Sequence, residues 1–239
     1  MLNYEEKTRY QRQIMLPGIG EEGQLKLKNA RVLIAGAGGL GSPISLYLCA
    51  AGVGTIGLAD DDSVVLSNLQ RQVLYRTEII GELKTEHARK LLNNLNPNVA
   101  IHLVDARISE QNATEVMSQY DIVVDATDNF RSRYLISKYC QEVNKPMVYG
   151  SIEEFLGQVA VFNYNGGPVY EDIFPEPPAN TPLDGEPKGV FGALPGVIGS
   201  LQSMEVLKII TGSGEPLSGK LLTYNALTGS FHTLIIPGQ

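Results

Sequence analysis

Short apolar runs alternate with amphipathic stretches along the first 150 residues. Runs at 31–35 ("RVLIA"), 55–59 ("TIGLA"), 99–104 ("VAIHLV"), 121–126 ("DIVVDA") and 146–150 ("PMVYG") are short and largely aliphatic, so they read as buried strands. Helical spacing of apolar positions fills 42–51, 82–95, 111–119 and 130–143 between them. The second of these helices should stop at Asn96-Pro97, because proline disfavours helical geometry in the residue before it. Strand, helix, strand repeated in this way predicts a parallel sheet covered by helices on both faces.

After residue 150 the rhythm changes. The runs 157–164 ("GQVAVFNY"), 220–226 ("KLLTYNA") and 230–236 ("SFHTLII") are strand-like, with a single helical pattern at 197–211 and a hairpin turn in "NALTGS". Such strands should extend the same sheet in antiparallel fashion. The expectation is therefore a single α/β domain over 1–239, with a Rossmann-like, mostly parallel sheet that gains antiparallel strands in its C-terminal half. Residues 1–30 form a helical lead-in, 31–150 a nucleotide-binding half and 151–239 the extension. Residues 165–189 hold six of the 13 prolines and no periodic apolar signal, which marks a long crossover loop, either functional or disordered.

Composition narrows the partners. The 239-residue chain carries a net charge of −7, which argues against a nucleic-acid or anionic-membrane surface. No apolar run reaches the ~18 residues of a membrane helix, and the charged start lacks a signal-peptide pattern. The two cysteines, Cys49 and Cys140, lie in helical patterns without metal-site spacing, and a cytoplasmic location is expected.

The chemistry begins where the first strand ends. Gly36, Gly38 and Gly41 form G-x-G-x-x-G between a strand and a helix, a turn whose free N–H groups and helix N-terminus suit phosphate. Asp60, at the end of the next strand, stands where a carboxylate can meet ribose hydroxyls. These features alone do not separate NAD from ATP, nor a nucleotide site from a glycine-tightened turn without ligand. The residues that follow favour a triphosphate: "DDDSVVLSNLQRQ" adds Asn68, Gln70 and Arg71, "GELKTEHARK" adds Lys84, and "DATDNFRSR" puts Asp128 at the carboxyl end of a strand. Arg12 adds a cation near the chain start. Cations that neutralise phosphate oxygens and an aspartate that holds Mg²⁺ are what ATP requires.

The segments "YQRQIMLPGIGEEGQLKL", "VLIAGAGGLGSP", "AAGVGTIGLADDDSVVLSNLQRQ", "VDATDNFRSR" and "GVIGSLQSMEVLKI" together resemble the MoeB/ThiF/HesA family, over roughly residues 8 to 236. The resemblance implies an ATP-dependent adenylyltransferase. Its substrate would be the C-terminal Gly-Gly carboxylate of a small ubiquitin-like sulfur carrier, for thiamine, molybdopterin or a related biosynthesis. It further implies that Gly36, Gly38, Gly39 and Gly41 pack around the nucleotide, that Asp60 binds its ribose and that Asp62 is a further nucleotide-binding residue. Asn68, Arg71, Gln72 and Lys84 would serve the nucleotide and its phosphates, and Asp128 would hold Mg²⁺. Arg12 would reach the ATP site of the second subunit of a homodimer. Adenylation of a different carboxylate is the alternative, and an NAD-dependent oxidoreductase is less favoured by the charged cluster.

Two family features are missing. Many relatives bind zinc through two C-x-x-C pairs; here the first pair's positions hold Val169 and Asp172, and the C-terminal stretch has no cysteine. No zinc site is therefore expected. The crossover cysteine of some relatives is replaced by Gly185, so sulfur should come from a separate sulfurtransferase or from sulfide.

Overall fold

The computed structural model describes residues 1–104, 106–177, 182–183 and 189–236. Three short helices, α1 (Tyr4–Arg9), α2 (Gln11–Ile14) and α3 (Gly20–Asn29), lead into β1 (Arg31–Ala35). There follow α4 (Gly41–Ala51), β2 (Thr55–Ala59), α5 (Lys84–Leu95), β3 (Ala100–Val104), α6 (Ala113–Ser118), β4 (Ile122–Asp125), α7 (Phe130–Glu142) and β5 (Met147–Glu153). The chain continues through β6 (Leu156–Phe162), α8 (Leu194–Thr211), β7 (Lys220–Asn225) and β8 (Ser230–Ile235). All eight strands join one sheet in the order β3-β2-β1-β4-β5-β6-β7-β8. The first five are parallel, and β6, β7 and β8 extend the sheet antiparallel, as the alternation predicts.

Both faces of the parallel part are covered, and β1 shows why its run is continuously apolar. Val32 and Ile34 pack with Ile44 and Leu48 of α4, Leu92 of α5 and Ile198 and Val206 of α8. Leu33 and Ala35 point the other way, toward Met117 of α6 and Ile136 and Cys140 of α7. Alternate residues of one strand thus feed two separate cores. β1 lies between β2 and β4, so the chain turns one way after β1 and the other way before β4. That reversal opens a crevice at the carboxyl ends of the strands, where sheets of this type bind ligands.

Several boundaries moved. Helix α8 begins at Leu194 rather than 197, with a proline in its first turn, where the missing N–H costs nothing. Helix α5 begins at Lys84 rather than 82, and α6 covers only Ala113–Ser118 of the expected 111–119. The crossover contains a 3-10 turn, Tyr170–Asp172, in which the Asp172 carboxylate accepts the Val169 N–H at 2.8 Å, so the zinc-pair positions fold here as a hydrogen-bonded turn. Tyr170 is buried and packs on Tyr134, Tyr149, Phe162 and Phe174. Gly185 lies outside the described residues. Among the described residues, no helix is long and apolar enough to cross a membrane.

The two halves of the chain are tied by a buried side chain. Gln202 of α8 donates from Nε2 to the carbonyls of Asp125 (2.7 Å), the last residue of β4, and Val148 (3.2 Å), near the start of neighbouring β5. It reaches them because residue 150 is glycine: a Cβ there would lie 2.2 Å from the Gln202 side chain. Gln202→Leu keeps the volume and removes the donor, and should cost about 1–3 kcal/mol of stability in urea unfolding. An unchanged unfolding midpoint would refute that role.

Candidate active site

A crevice of about 350 Å³ opens at the carboxyl ends of the parallel strands. Its walls come from the turn after β1 (Gly36, Gly38, Gly39), the acids after β2 (Asp60, Asp61, Asp62) and the turn after β4 (Thr127, Asp128, Asn129). Arg71, Gln72, Lys84, Arg107 and Arg133 add polar groups, and Ile108, Ile136 and Ile152 add apolar surface. A second, shallow groove beside Tyr134, Lys138 and Glu171 is open to solvent on most sides.

The glycine turn owes its shape to close approaches. Gly36 has φ +102°, and a Cβ there would lie 2.6 Å from the Ala126 carbonyl oxygen. A Cβ on Gly41 would lie 2.0 Å from the Gly36 carbonyl oxygen, so only glycine lets α4 start this near the strand. Between them, Ala37 is held from both sides: its N–H donates to Asp60 Oδ2 at 2.8 Å, and its carbonyl accepts from the Tyr75 hydroxyl at 2.7 Å. No side chain caps the first turn of α4. The Ser42 N–H donates back to the Gly38 carbonyl at 2.9 Å and Pro43 has none, so what α4 offers an anion in the crevice is chiefly the positive end of its dipole.

On the opposite wall, the turn after β4 is built on a buried ion pair. Asp125 is fully buried; its Oδ1 accepts from the Thr127 N–H (3.0 Å) and hydroxyl (2.6 Å). Its Oδ2 faces Arg133 Nε at 4.0 Å, and the Arg133 guanidinium lies over the rings of Phe130 and Tyr149. Asn129 Oδ1 accepts from the Ser132 N–H at 2.9 Å and so starts α7. Asp128 sits between these two fixed points, facing the crevice.

Charge in the crevice is closely matched. Lys84 is only 4% exposed; its Nζ lies 2.9 Å from Asp62 Oδ2 and 3.9 Å from Asp60 Oδ1. Burial raises the Asp60 carboxyl above the usual carboxylate value, against the pull of Lys84 and of the Ala37 and Asp62 N–H groups. Burial also pushes Asp62 up, but hydrogen bonding to Lys84 and the charges of Lys84 and Arg107 outweigh it and hold Asp62 below that value.

The structure brings Gly36, Gly38, Gly39, Asp60, Asp62, Arg71, Gln72, Lys84 and Asp128 to one crevice. Gly41 lies beneath it as a packing contact. Asn68 is not on the wall: its Oδ1 accepts from the Val65 N–H at 3.2 Å, and its carbonyl accepts from the N–H groups of Arg71 and Gln72. It shapes the segment that presents Arg71. Arg12, on α2, is exposed and lies outside the crevice of its own chain. The sequence reading missed Arg107, Thr127 and the Asp125–Arg133 pair. "DATDNFRSR" contains most of them, but nothing in their spacing says that Asp125 and Arg133 meet.

The sign of the Asp125 shift sets a pH dependence. Burial raises its carboxyl above the ordinary 3.8, opposed by Arg133 and the Thr127 hydrogen bonds. A raised acid in the folded state costs stability that is fully present above the raised value and is relieved as pH falls toward 3.8. Asp125→Asn should therefore gain stability relative to the wild type as pH rises through that window, measured by urea unfolding across a pH series. A difference that stays flat with pH would show that Asp125 is not shifted.

Comparison with known proteins places the chain in a family. The ThiF family pattern matches residues 10–238. A sulfur carrier protein adenylyltransferase of Thermus thermophilus is 48% identical over 239 residues, covering 97% of this chain and 88% of that protein. The adenylyltransferase and sulfurtransferase MOCS3 of Culex quinquefasciatus is 46% identical over 239 residues, and there this chain spans only 55% of the relative's length. Among solved structures, E. coli MccB with MccA-N7isoASN superposes with a TM-score of 0.86 at 24% identity, covering 99% of this chain and 74% of MccB, a likeness of fold.

Proposed function

Because the chain belongs to the ThiF family, we propose that it is an ATP-dependent adenylyltransferase acting on the C-terminal Gly-Gly carboxylate of a small ubiquitin-like sulfur carrier. The observation that carries this reading is the crevice itself. A glycine turn and an uncapped helix N-terminus face Arg71, Lys84 and Asp128 across the strand-order reversal, a charged environment suited to a polyphosphate rather than to a nicotinamide ring.

In the proposed reaction a carboxylate oxygen of the carrier attacks the α-phosphorus of ATP. A new C(O)–O–P linkage forms, the α–β phosphoanhydride bond breaks, and pyrophosphate leaves with that electron pair. Arg71, Lys84 and the α4 N-terminus would neutralise the growing charge on the phosphates, a preorganised electrostatic contribution. Asp60 would keep the turn in shape through Ala37 and meet the ribose. Asp128 is suited by its carboxylate oxygens and its place on the wall to hold Mg²⁺, which would supply Lewis-acid charge at the phosphates; Asp60–Asp62 already face Lys84 and Arg107. The thiols are unsuited to covalent chemistry: both are fully buried, and burial pushes Cys49 up to about 11 and Cys140 higher still. Sulfur would then be delivered by a separate sulfurtransferase or by sulfide, without zinc.

Labelled-pyrophosphate exchange into ATP should require a Gly-Gly-ending carrier, and Asp128→Ala should lower it by roughly 100-fold or more. Exchange near wild-type level in that variant would remove Asp128 from the site, and carrier-independent silence of the wild type would overturn the reaction.

A homodimer with shared sites accounts for Arg12. Its neighbours Met15 and Leu16 are exposed, as are Val65, Leu66 and Val73 in the segment carrying Arg71, an apolar surface of the kind that partners cover. Mixing Arg12→Ala with Asp128→Ala chains, each inactive alone, should restore exchange, because one of the two mixed sites then has both residues. Mixed dimers that form and remain inactive would show that Arg12 does not act across an interface.

A further inference from the structure

Asp60, Asp61 and Asp62 stand together at the end of β2, with carboxylate oxygens within 4.8 Å of one another, on the wall of a crevice that must admit a polyanion. Two cations oppose them. Lys84 is buried and meets Asp62 Oδ2 at 2.9 Å. Arg107, with its side chain 66% exposed, donates from Nε to Asp61 Oδ1 at 2.6 Å and from Nη2 to Asp62 Oδ1 at 2.9 Å. The two oxygens of Asp62 are therefore divided between two different cations.

This division matters when Lys84 is needed elsewhere. An ammonium that turns to a phosphate gives up Asp62, and an unpaired carboxylate would then face the phosphates it repels. Arg107 removes that conflict, since the planar fork of arginine can span two carboxylates at once and stay. Its backbone is anchored: the Asn112 side chain donates to the Arg107 carbonyl at 3.0 Å and accepts from the Ser109 N–H at 2.8 Å. Exposed ion pairs add little to folding stability, so the consequence of this one lies in the field at the crevice.

We propose that Arg107 is a positioning residue of the nucleotide site. By keeping Asp61 and Asp62 paired, it lets Lys84 exchange its carboxylate partner for a phosphate. The inference rests on the reading of the crevice as an ATP site. It predicts a dependence on phosphate charge that neither base stacking nor a purely structural role shares.

Calorimetric titration with ATP and, separately, with adenosine tests it. Arg107→Ala should weaken ATP roughly 5- to 20-fold, the scale of one nearby charge, and leave adenosine within about twofold. Arg107→Gln should behave like the alanine variant, and Arg107→Lys should recover most of the loss. Adding Asp62→Asn to Arg107→Ala should recover part of the ATP loss, because the carboxylate that Lys84 releases is then neutral while Asp61 still lacks its arginine. ATP binding unchanged in both charge-removing variants, equal losses for ATP and adenosine, or no recovery in the double variant would each overturn the proposal. A wild-type chain that binds adenosine and ATP equally weakly would instead overturn the nucleotide reading, and the proposal with it.

Discussion

The contact between Gly41 and the Gly36 carbonyl oxygen is the constraint on which the rest of the site depends. A side chain at residue 41 would meet that oxygen at 2.0 Å, so α4 can start beside β1 only with glycine there. That approach places Ile44 and Leu48 on one core of the sheet and leaves the first turn of the helix facing the crevice. Packing and anion affinity thus come from the same backbone geometry. The positive φ of Gly36, pressed against Ala126, joins this turn to the strand that carries Asp125 and thereby to the opposite wall.

Around that turn the polar groups are held by the protein's own contacts. Asp60 and Tyr75 clamp Ala37, Asn68 shapes the approach of Arg71, and Asp125 with Thr127 and Arg133 fixes the position of Asp128. Such preorganisation is where electrostatic stabilisation of a charged transition state originates, because fixed dipoles and charges need no rearrangement at the moment of reaction. The cost is visible in the carboxyls that burial raises, Asp60 and Asp125. The C-terminal half contributes to the same rigidity. Gln202 of α8 bridges the backbones of neighbouring β4 and β5, while the Tyr170 cluster seats the described part of the crossover on α7, β5 and β6.

Much of this was legible in the sequence, and the reason is local. The apolar runs of β1, β2 and β4 are continuous because both faces of the strands are buried, so their positions need no tertiary knowledge. G-x-G-x-x-G states much of its own geometry, since Gly36 and Gly41 at that spacing between strand and helix have steric reasons to be glycine. The resemblance carried by "SNLQRQ" and "TDN" pointed to the family to which the chain belongs. Boundaries were less legible: the helix start at Leu194 was obscured by a proline that reads equally as loop or as first turn.

What the tertiary structure alone decided is which distant side chains meet. Arg107 and Asp62 lie 45 residues apart, and Gln202 and Asp125 lie 77 apart, so no periodicity relates either pair. Asn68, named from its motif as a nucleotide group, shapes through its main-chain carbonyl the backbone that presents Arg71. The sequence by itself determined the order of strands and helices, the glycine turn and the identity of the charges, because each follows from local pattern. Pairing among those charges depends on sheet order and helix placement, which bring the carboxyl ends of β1, β2 and β4 together around one crevice.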